Sequence, residues 1–300
     1  MRPEETSKRE ESAGAFEPHR RYLTGLAYRM LGSVSEAEDI VQDAYLRWHA
    51  ADRTAVSAPR AFLSKTVTRL CLDHLKSARV RRETYVGPWL PEPVVGGDEE
   101  PDAGELAADL SVALLLALER LSPLERAAFL LHDVFDMDFA EVAETVGRNE
   151  AACRQLASRA RRHVQSARPR YAVSREEGAR IAEAFLGAVS SGDVGALRGL
   201  LAEDVTVYTD GGGRRIAALN PIAGQAKTIR FWTGLFRKGL LEARRVVHRG
   251  PINGLPGFVS TEPDGGLQTT ALDIRDGRIA AIYIMRNPEK LTHLRIGGMG

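Results

Sequence analysis

The chain has 300 residues, 44% apolar and 27% charged, enough for two or three domains that each bury a core. Its longest apolar run, residues 112–118, falls far short of the ~20 residues that span a bilayer, no secretion signal opens it, and two cysteines, Cys71 and Cys153, are too few for a disulfide framework or a cysteine metal site, so a reduced, cytoplasmic protein is expected. Forty-one basic against forty acidic residues leave a charge of only +1, yet basic residues crowd 65–82 and 148–170 around an acidic block at 98–105, so two patches can meet phosphate while the whole stays near neutral.

Residues 1–14 are polar and unpatterned, the composition of a disordered tail. The first packed unit is expected over 15–83. Phe16, Leu23, Leu26, Ala27 and Met30 recur at helical spacing until Gly32 stops the helix, and Ser33 with Glu36 offers a capping box for the next. There Ala37, Ile40, Val41, Ala44, Tyr45 and Trp48 make the buried stripe and leave Asp39, Gln42, Asp43 and Arg47 outward. A loop over 50–58 leads to Pro59, suited to a first helical turn, and to a helix apolar on one side and basic on another.

Between 84 and 105 periodicity vanishes and proline, glycine and acidic content rises, as in a linker. A second helical unit is expected over 106–170. Ser122, Pro123 and Glu125 signal one helix start, Asp138 and Glu141 another, and Gly147 with Asn149 the break before a last helix through Cys153, Leu156, Ala160 and Val164. Residues 138–162 thus have the outline of a helix-turn-helix, in which Arg154, Gln155, Ser158, Arg159 and Arg162 project groups suited to base edges and phosphates. An Ala/Arg-rich helix also serves as a solvated surface, so the outline alone leaves both roles open. From 171 to 300 the texture is α+β, with helices expected at 175–191, 193–201 and 223–236, and strands at 205–208, 214–218, 241–248, 257–260, 266–273 and 278–285.

Read together, the helical units resemble extracytoplasmic-function sigma factors of RNA polymerase. GSVSEAEDIVQDAYLRW at 32–48 resembles their second conserved region, PRAFLSKTVTRLCLDHLKSARVRRE at 59–83 the promoter-melting and −10 recognition segment, and LSPLERAAFLLHDVFDMDFAEVAETVGRNEAACRQLASRARRHV at 121–164 the fourth region, which reads the −35 element. WLPEP at 89–93 is similar to a linker motif of a subgroup with a SnoaL-like, or nuclear-transport-factor-2-like, C-terminal domain. That subgroup's acidic-glycine turn and asparagine-proline motif correspond to Asp210, Gly211, Gly212, Gly213 and Arg214, and to Asn287, Pro288, Glu289, Lys290 and Leu291. Arg214 stands where lysine is frequent and Glu289 where aspartate is, and both keep the charge.

The resemblance implies a non-enzymatic promoter-specificity subunit, regulated by its C-terminal domain, whose partners are core RNA polymerase and promoter DNA. Asp39, Gln42, Asp43 and Arg47 match the face pressed on the β′ clamp helices, and the β subunit is a further expected contact. Lys65, Arg69, Lys76, Arg79, Arg81 and Arg82 would hold phosphates at −10, and Asn149, Arg154, Gln155, Ser158, Arg159 and Arg162 would serve at −35. Trp89, Leu90, Pro91, Glu92 and Pro93 would form a latch sensing domain arrangement, though a stiff linker docked on any apolar surface reads the same way. Likewise 210–213 is either a hairpin turn or a domain-contacting turn. Asp204, Tyr208, Asp210, His248 and Asp273 are candidate acids and bases with no pairing to mark a catalytic constellation. No cofactor or metal is implied. A small molecule in the C-terminal domain is the remaining partner considered, and a ligand-responsive DNA-binding regulator working without polymerase is the rival reading.

Overall fold

The computed structural model describes residues 3–52, 56–96, 111–165, 173–241 and 244–294, with the side chains of 3–13 and 78–83 outside the description. The chain divides into two compact units, 1–83 with 115–167, and 84–114 with 168–300. No helix among the described residues is long and apolar enough to cross a membrane.

The first unit is helical: α1 (Pro3–Leu31), α2 (Val34–Ala50), α3 (Pro59–Glu83), α4 (Val112–Glu119), α5 (Pro123–Phe129), α6 (Phe139–Val146) and α7 (Glu150–Gln165), with α5 running into a π turn at Leu130–Val134. Local chemistry sets most boundaries. The Ser33 hydroxyl accepts from Glu36 N at 3.1 Å at the head of α2, complete capping boxes join Ser122 to Glu125 and Asp138 to Glu141, and Gly147 ends α6 at φ 68°. The stripes of α1, α2 and α3 bury Phe16, Leu23, Met30, Val41, Trp48 and Leu63, while Phe129, Leu131, Val142 and Ala157 close the later helices. Trp48 is 2% exposed with its ring 5.7 Å from Phe62, a core side chain and not a surface stacking platform. One expectation is corrected: α1 starts at Pro3 and not near Phe16. Pro3 suits a first turn, and Glu4, Glu5, Lys8, Arg9, Glu10 and Glu11 include good helix formers, which the tail reading passed over. The expected helix start at 106 lies outside the described residues.

The second unit contains α8 (Arg175–Ser191), α9 (Val194–Leu200), β1 (Leu201–Asp210), β2 (Ile222–Ala223), α10 (Gln225–Arg237), β3 (Arg245–Ile252), β4 (Leu255–Thr261), β5 (Leu267–Arg275), β6 (Arg278–Met285) and a 3₁₀ turn at Pro288–Lys290. The strands form one sheet in the order β2-β1-β6-β5-β4-β3, antiparallel except for β1 beside β6. Period-2 alternation gives the sheet two unlike faces. Leu272, Ile274, Ile282 and Ile284 pack with Phe185 and Trp232 of the helices. Thr269, Ala271, Tyr283 and Met285 line the other side together with Leu90, Pro91 and Pro93, so the linker covers that face.

Two strand expectations fail here. Residues 214–218 form no strand, because Arg214 N and Arg215 N both donate to Gly211 O and close a turn. The place beside β1 is taken by Ile222 and Ala223. The strand expected from Leu241 begins at Arg245, since Leu241, 5% exposed, belongs to the core beneath the turn after α10.

Candidate nucleic-acid interface and linker site

Asp39, Gln42, Asp43 and Arg47 all stand exposed on α2, opposite its buried Ala37, Ile40, Val41 and Ala44. Leu46, 56% exposed, sits among them and was not singled out from the sequence. An apolar side chain held in water amid charges is the composition of a protein-contacting face.

In α7, Cys153, Ala157, Ala160 and Val164 are buried, so Arg154, Gln155, Ser158, Arg159 and Arg162 share the outward side. Asn149 serves as the N-cap, its Oδ1 accepting from Ala152 N at 2.8 Å. Arg154 donates to Glu150 at 2.7 Å and lies 5.1 Å over the Phe139 ring, which sets its guanidinium at the start of the helix. That end of a second helix-turn-helix helix is the one that enters a major groove.

The basic residues of α3 do not behave as one group. Lys65 Nζ donates to Glu144 Oε1. Arg69 donates from Nη2 to Glu144 O at 3.1 Å and from Nε to Thr145 O at 3.3 Å. Both therefore grip the last turn of α6, whose orphan carbonyls attract cations. The Lys65 bond holds the Glu144 carboxyl below the usual range. Lys76 pairs with Asp73 at 2.8 Å on its own helix, and the side chains of Arg79, Arg81 and Arg82 lie outside those described.

Other contacts between these helices had no sequence signal. Arg126, 3% exposed, donates to Met30 O and to Glu119 Oε2. Arg29 lies 5.4 Å over the Phe135 ring, and Tyr22 meets the same ring edge-on at 4.9 Å. Their partners are 7 to more than 100 positions away in sequence, beyond any periodicity argument.

In the second unit the linker, the glycine turn and the asparagine-proline turn converge on one carboxylate. Asp210, fully buried, accepts from the Tyr85 hydroxyl at 2.5 Å, Leu90 N at 2.9 Å, Gly212 N at 3.0 Å and Lys290 Nζ at 2.8 Å. Lys290 also donates to Leu90 O at 2.5 Å and lies 4.2 Å over Trp89 and 4.7 Å over Tyr85. Asn287 donates to the Tyr85 oxygen at 2.9 Å. Burial, then the Asp210 bond, pushes the Tyr85 hydroxyl up, so it stays a donor.

Farther along, His293 Nε2 meets Pro93 O at 2.8 Å, and Val94 and Asn253 exchange two bonds. Glu92 is 7% exposed, 3.9 Å from His293. Pro288 and Leu291 frame the turn that presents Lys290, and Arg214 pairs with Glu289 at 3.0 Å. The glycines are sterically required: a Cβ on Gly211 would meet Arg215 O at 2.2 Å, and one on Gly212 would meet Asn287 Nδ2 at 2.2 Å. Gly213, at φ 71°, continues the turn against Val86.

The acid and base candidates separate. Asp210 belongs to the linker site. Asp273 is 2% exposed and binds Arg275 at 2.8 Å, Tyr208 stacks on Tyr283 at 5.4 Å, and Asp204 faces solvent.

Family models described as Sigma-70 region 2 and Sigma-70, region 4 match residues 15–81 and 111–164. The chain is 41% identical over 293 residues to the ECF RNA polymerase sigma factor SigJ of Mycobacterium tuberculosis, covering 92% of each. It is 31% identical over 297 residues to the probable ECF RNA polymerase sigma factor SigI of that species, covering 97% of this chain and 99% of the relative. The crystal structure of M. tuberculosis SigJ matches with a TM-score of 0.77 at 38% identity, covering 95% of this chain and 99% of that one.

Proposed function

The chain belongs to the extracytoplasmic-function sigma factors, and from that premise we propose how its residues divide the work of initiation. As a sigma factor it acts with RNA polymerase core to direct transcription initiation at promoter DNA. The α2 face of Asp39, Gln42, Asp43 and Arg47 meets the β′ clamp helices, with Leu46 as its apolar anchor. The β subunit takes the remaining contact. The exposed row Arg154, Gln155, Ser158 and Arg159 reads −35, and Asn149 and Arg162 position the helix on phosphate. Lys65, Arg69, Lys76, Arg79, Arg81 and Arg82 hold the −10 backbone.

The observation that carries the regulatory part is that Lys65 and Arg69 bind the end of α6. A side chain engaged by the helix-turn-helix cannot also hold DNA, so the compact first unit is a closed state that must open on the promoter. The segment joining α3 to α4 is docked on the α+β domain through Asp210 and Lys290. The C-terminal domain thereby controls how the −10 and −35 readers separate.

Run-off transcription with purified core polymerase tests these roles on a template library. Asp39→Lys with Asp43→Lys should remove polymerase association. Arg154→Ala with Arg159→Ala should keep association and lose −35 discrimination, and Glu144→Ala should raise initiation at low template concentration. DNA binding without polymerase association by the unaltered chain would replace this reading with a polymerase-independent regulator.

A further inference from the structure

On the helix-facing side of the sheet, α8, α10 and strands β4 and β5 enclose a cavity of about 100 Å³. Phe185, Val189, Trp232 and Leu241 supply apolar walls, whereas Arg244, Ser260 and Gln268 gather at another part of the lining. The register explains the gathering: Ser260 pairs with Gln268 across β4 and β5, and Arg244 directly precedes Arg245, which pairs with Thr261.

These polar groups are left unmet. Ser260 and Gln268 are 2% and 1% exposed, and Ser260 Oγ, Gln268 Oε1 and the Trp232 indole N–H have no hydrogen-bond partner. Native interiors seldom keep such groups without a reason. The Arg244 side chain is 16% exposed, and its one acidic neighbour among the described residues, Glu262, stands 3.9 Å away. That carboxylate already serves Arg286 at 2.6 Å and Arg215 at 3.6 Å. Asp264 is taken by Arg215. Three guanidiniums thus share two carboxylates, and Arg244 is the one left without a close counterion. Burial lowers its pKa, yet a guanidinium does not deprotonate in a protein, so its balance must come from a bound anion. Turning the Gln268 amide would present Nε2 to that anion and Oε1 to the Thr270 hydroxyl, now 3.2 Å from Nε2. The larger cavity beside α8, of about 490 Å³, makes no such demand, because its Arg249 and Glu183 pair at 3.0 Å.

We propose that this cavity binds a short monocarboxylate with a branched apolar body, its carboxylate on Arg244 and Ser260 and its body among Phe185, Val189 and Trp232. The volume limits the ligand to roughly seven non-hydrogen atoms, given that benzene fills an engineered cavity of about 150 Å³. Gln268 and Thr270 alternate along β5 with Thr269 and Ala271, which line the linker side, so the occupant lies one strand's thickness from the docked linker. The binding itself stands apart from the sigma reading and is measured without polymerase or DNA.

Isothermal titration calorimetry on the full chain should compare isovalerate with isovaleramide, which keeps the shape and lacks the charge, and with acetate, which lacks the apolar body. Isovalerate should bind at least about tenfold more tightly than either. Arg244→Gln should cost about tenfold or more in isovalerate affinity. Val189→Trp, which fills the cavity and leaves Arg244 in place, should abolish binding, with melting curves establishing that each variant is folded. Equal affinity for the acid and its amide, wild-type affinity in either folded variant, or no heat from isovalerate at millimolar concentration would overturn the proposal. If Arg244→Gln does not fold, the acid–amide comparison and Val189→Trp decide it.

Discussion

Replacing Lys290 by methionine removes the ammonium that joins linker to sheet and keeps most of the side-chain volume. Lys290 is 8% exposed and its partner Asp210 is fully buried. Removing one member of a buried pair costs ~3–5 kcal/mol because the other charge stays behind unpaired. Tyr85, Leu90 N and Gly212 N still donate to Asp210 after the change, so about 3 kcal/mol, the lower end, is expected. The loss falls on linker docking first, since Lys290 also holds Leu90 O and underlies Trp89 and Tyr85. The Leu90 amide, bonded to Asp210, reports it directly. Its hydrogen exchange should accelerate by roughly 100-fold, the factor that 3 kcal/mol implies, while β5 amides change little. Adding Asp210→Asn should recover part of the loss, because the stranded charge is then gone. Leu90 exchange within a few-fold of wild type, or equal acceleration in β5, would refute the reasoning.

Glu144 should titrate below the ordinary glutamate range in a carboxyl-detected NMR experiment, and Lys65→Met should return it there. Because its folded pKa is depressed, its contribution is complete above the unfolded pKa and is lost as pH falls through the folded value, so the α3–α6 contact should weaken in acid. Gly212→Ala places a Cβ 2.2 Å from Asn287 Nδ2 at φ 59°, which should cost ~1–3 kcal/mol in urea unfolding and loosen the Asn287–Tyr85 bond. Burial pushes the Cys71 thiol far up and raises Cys153 as well, so neither should react with a disulfide reagent faster than the chain opens.

The helices were legible where their determinants are local. Ser33, Ser122, Asp138 and Asn149 are caps whose bonds reach only three residues ahead. The stripes of α2 and α7 follow the 3.6 period closely enough to assign the outward residues one by one. Strands were less so, because period-2 runs are short and a turn can imitate them. Arg214 to Ala218 alternates like a strand, yet its backbone is committed to Gly211.

The linker site was legible only through resemblance. Nothing in the local pattern around Asp210 or Lys290 says that these two charges are buried, and charged residues are seldom buried unless paired. Their pairing spans 80 positions, and the Tyr85 bond to Asp210 spans 125. The engagement of Lys65 and Arg69 by α6 was invisible for the same reason, since a basic face reads identically whether it awaits phosphate or holds a helix end.

That ambiguity has a physical basis with consequences for how firmly the closed state is held. A phosphate and the last turn of a helix both offer clustered oxygens with negative charge, so α6 can stand in for DNA at Lys65 and Arg69. The substitute is weak. Exposed ion pairs contribute little and are screened by salt, whereas each phosphate contact on a duplex also releases condensed counterions. The firmer element is Arg126, whose buried bonds to Met30 O and Glu119 contribute about 1.5–3 kcal/mol each as charge-assisted bonds. On the proposed reading, opening therefore costs a few kcal/mol, a gap that differential binding of polymerase and promoter to the open form can supply. The linker then acts as bias and not as lock, because docking it on the sheet restricts how far α3 and α4 can part without touching either DNA-reading surface.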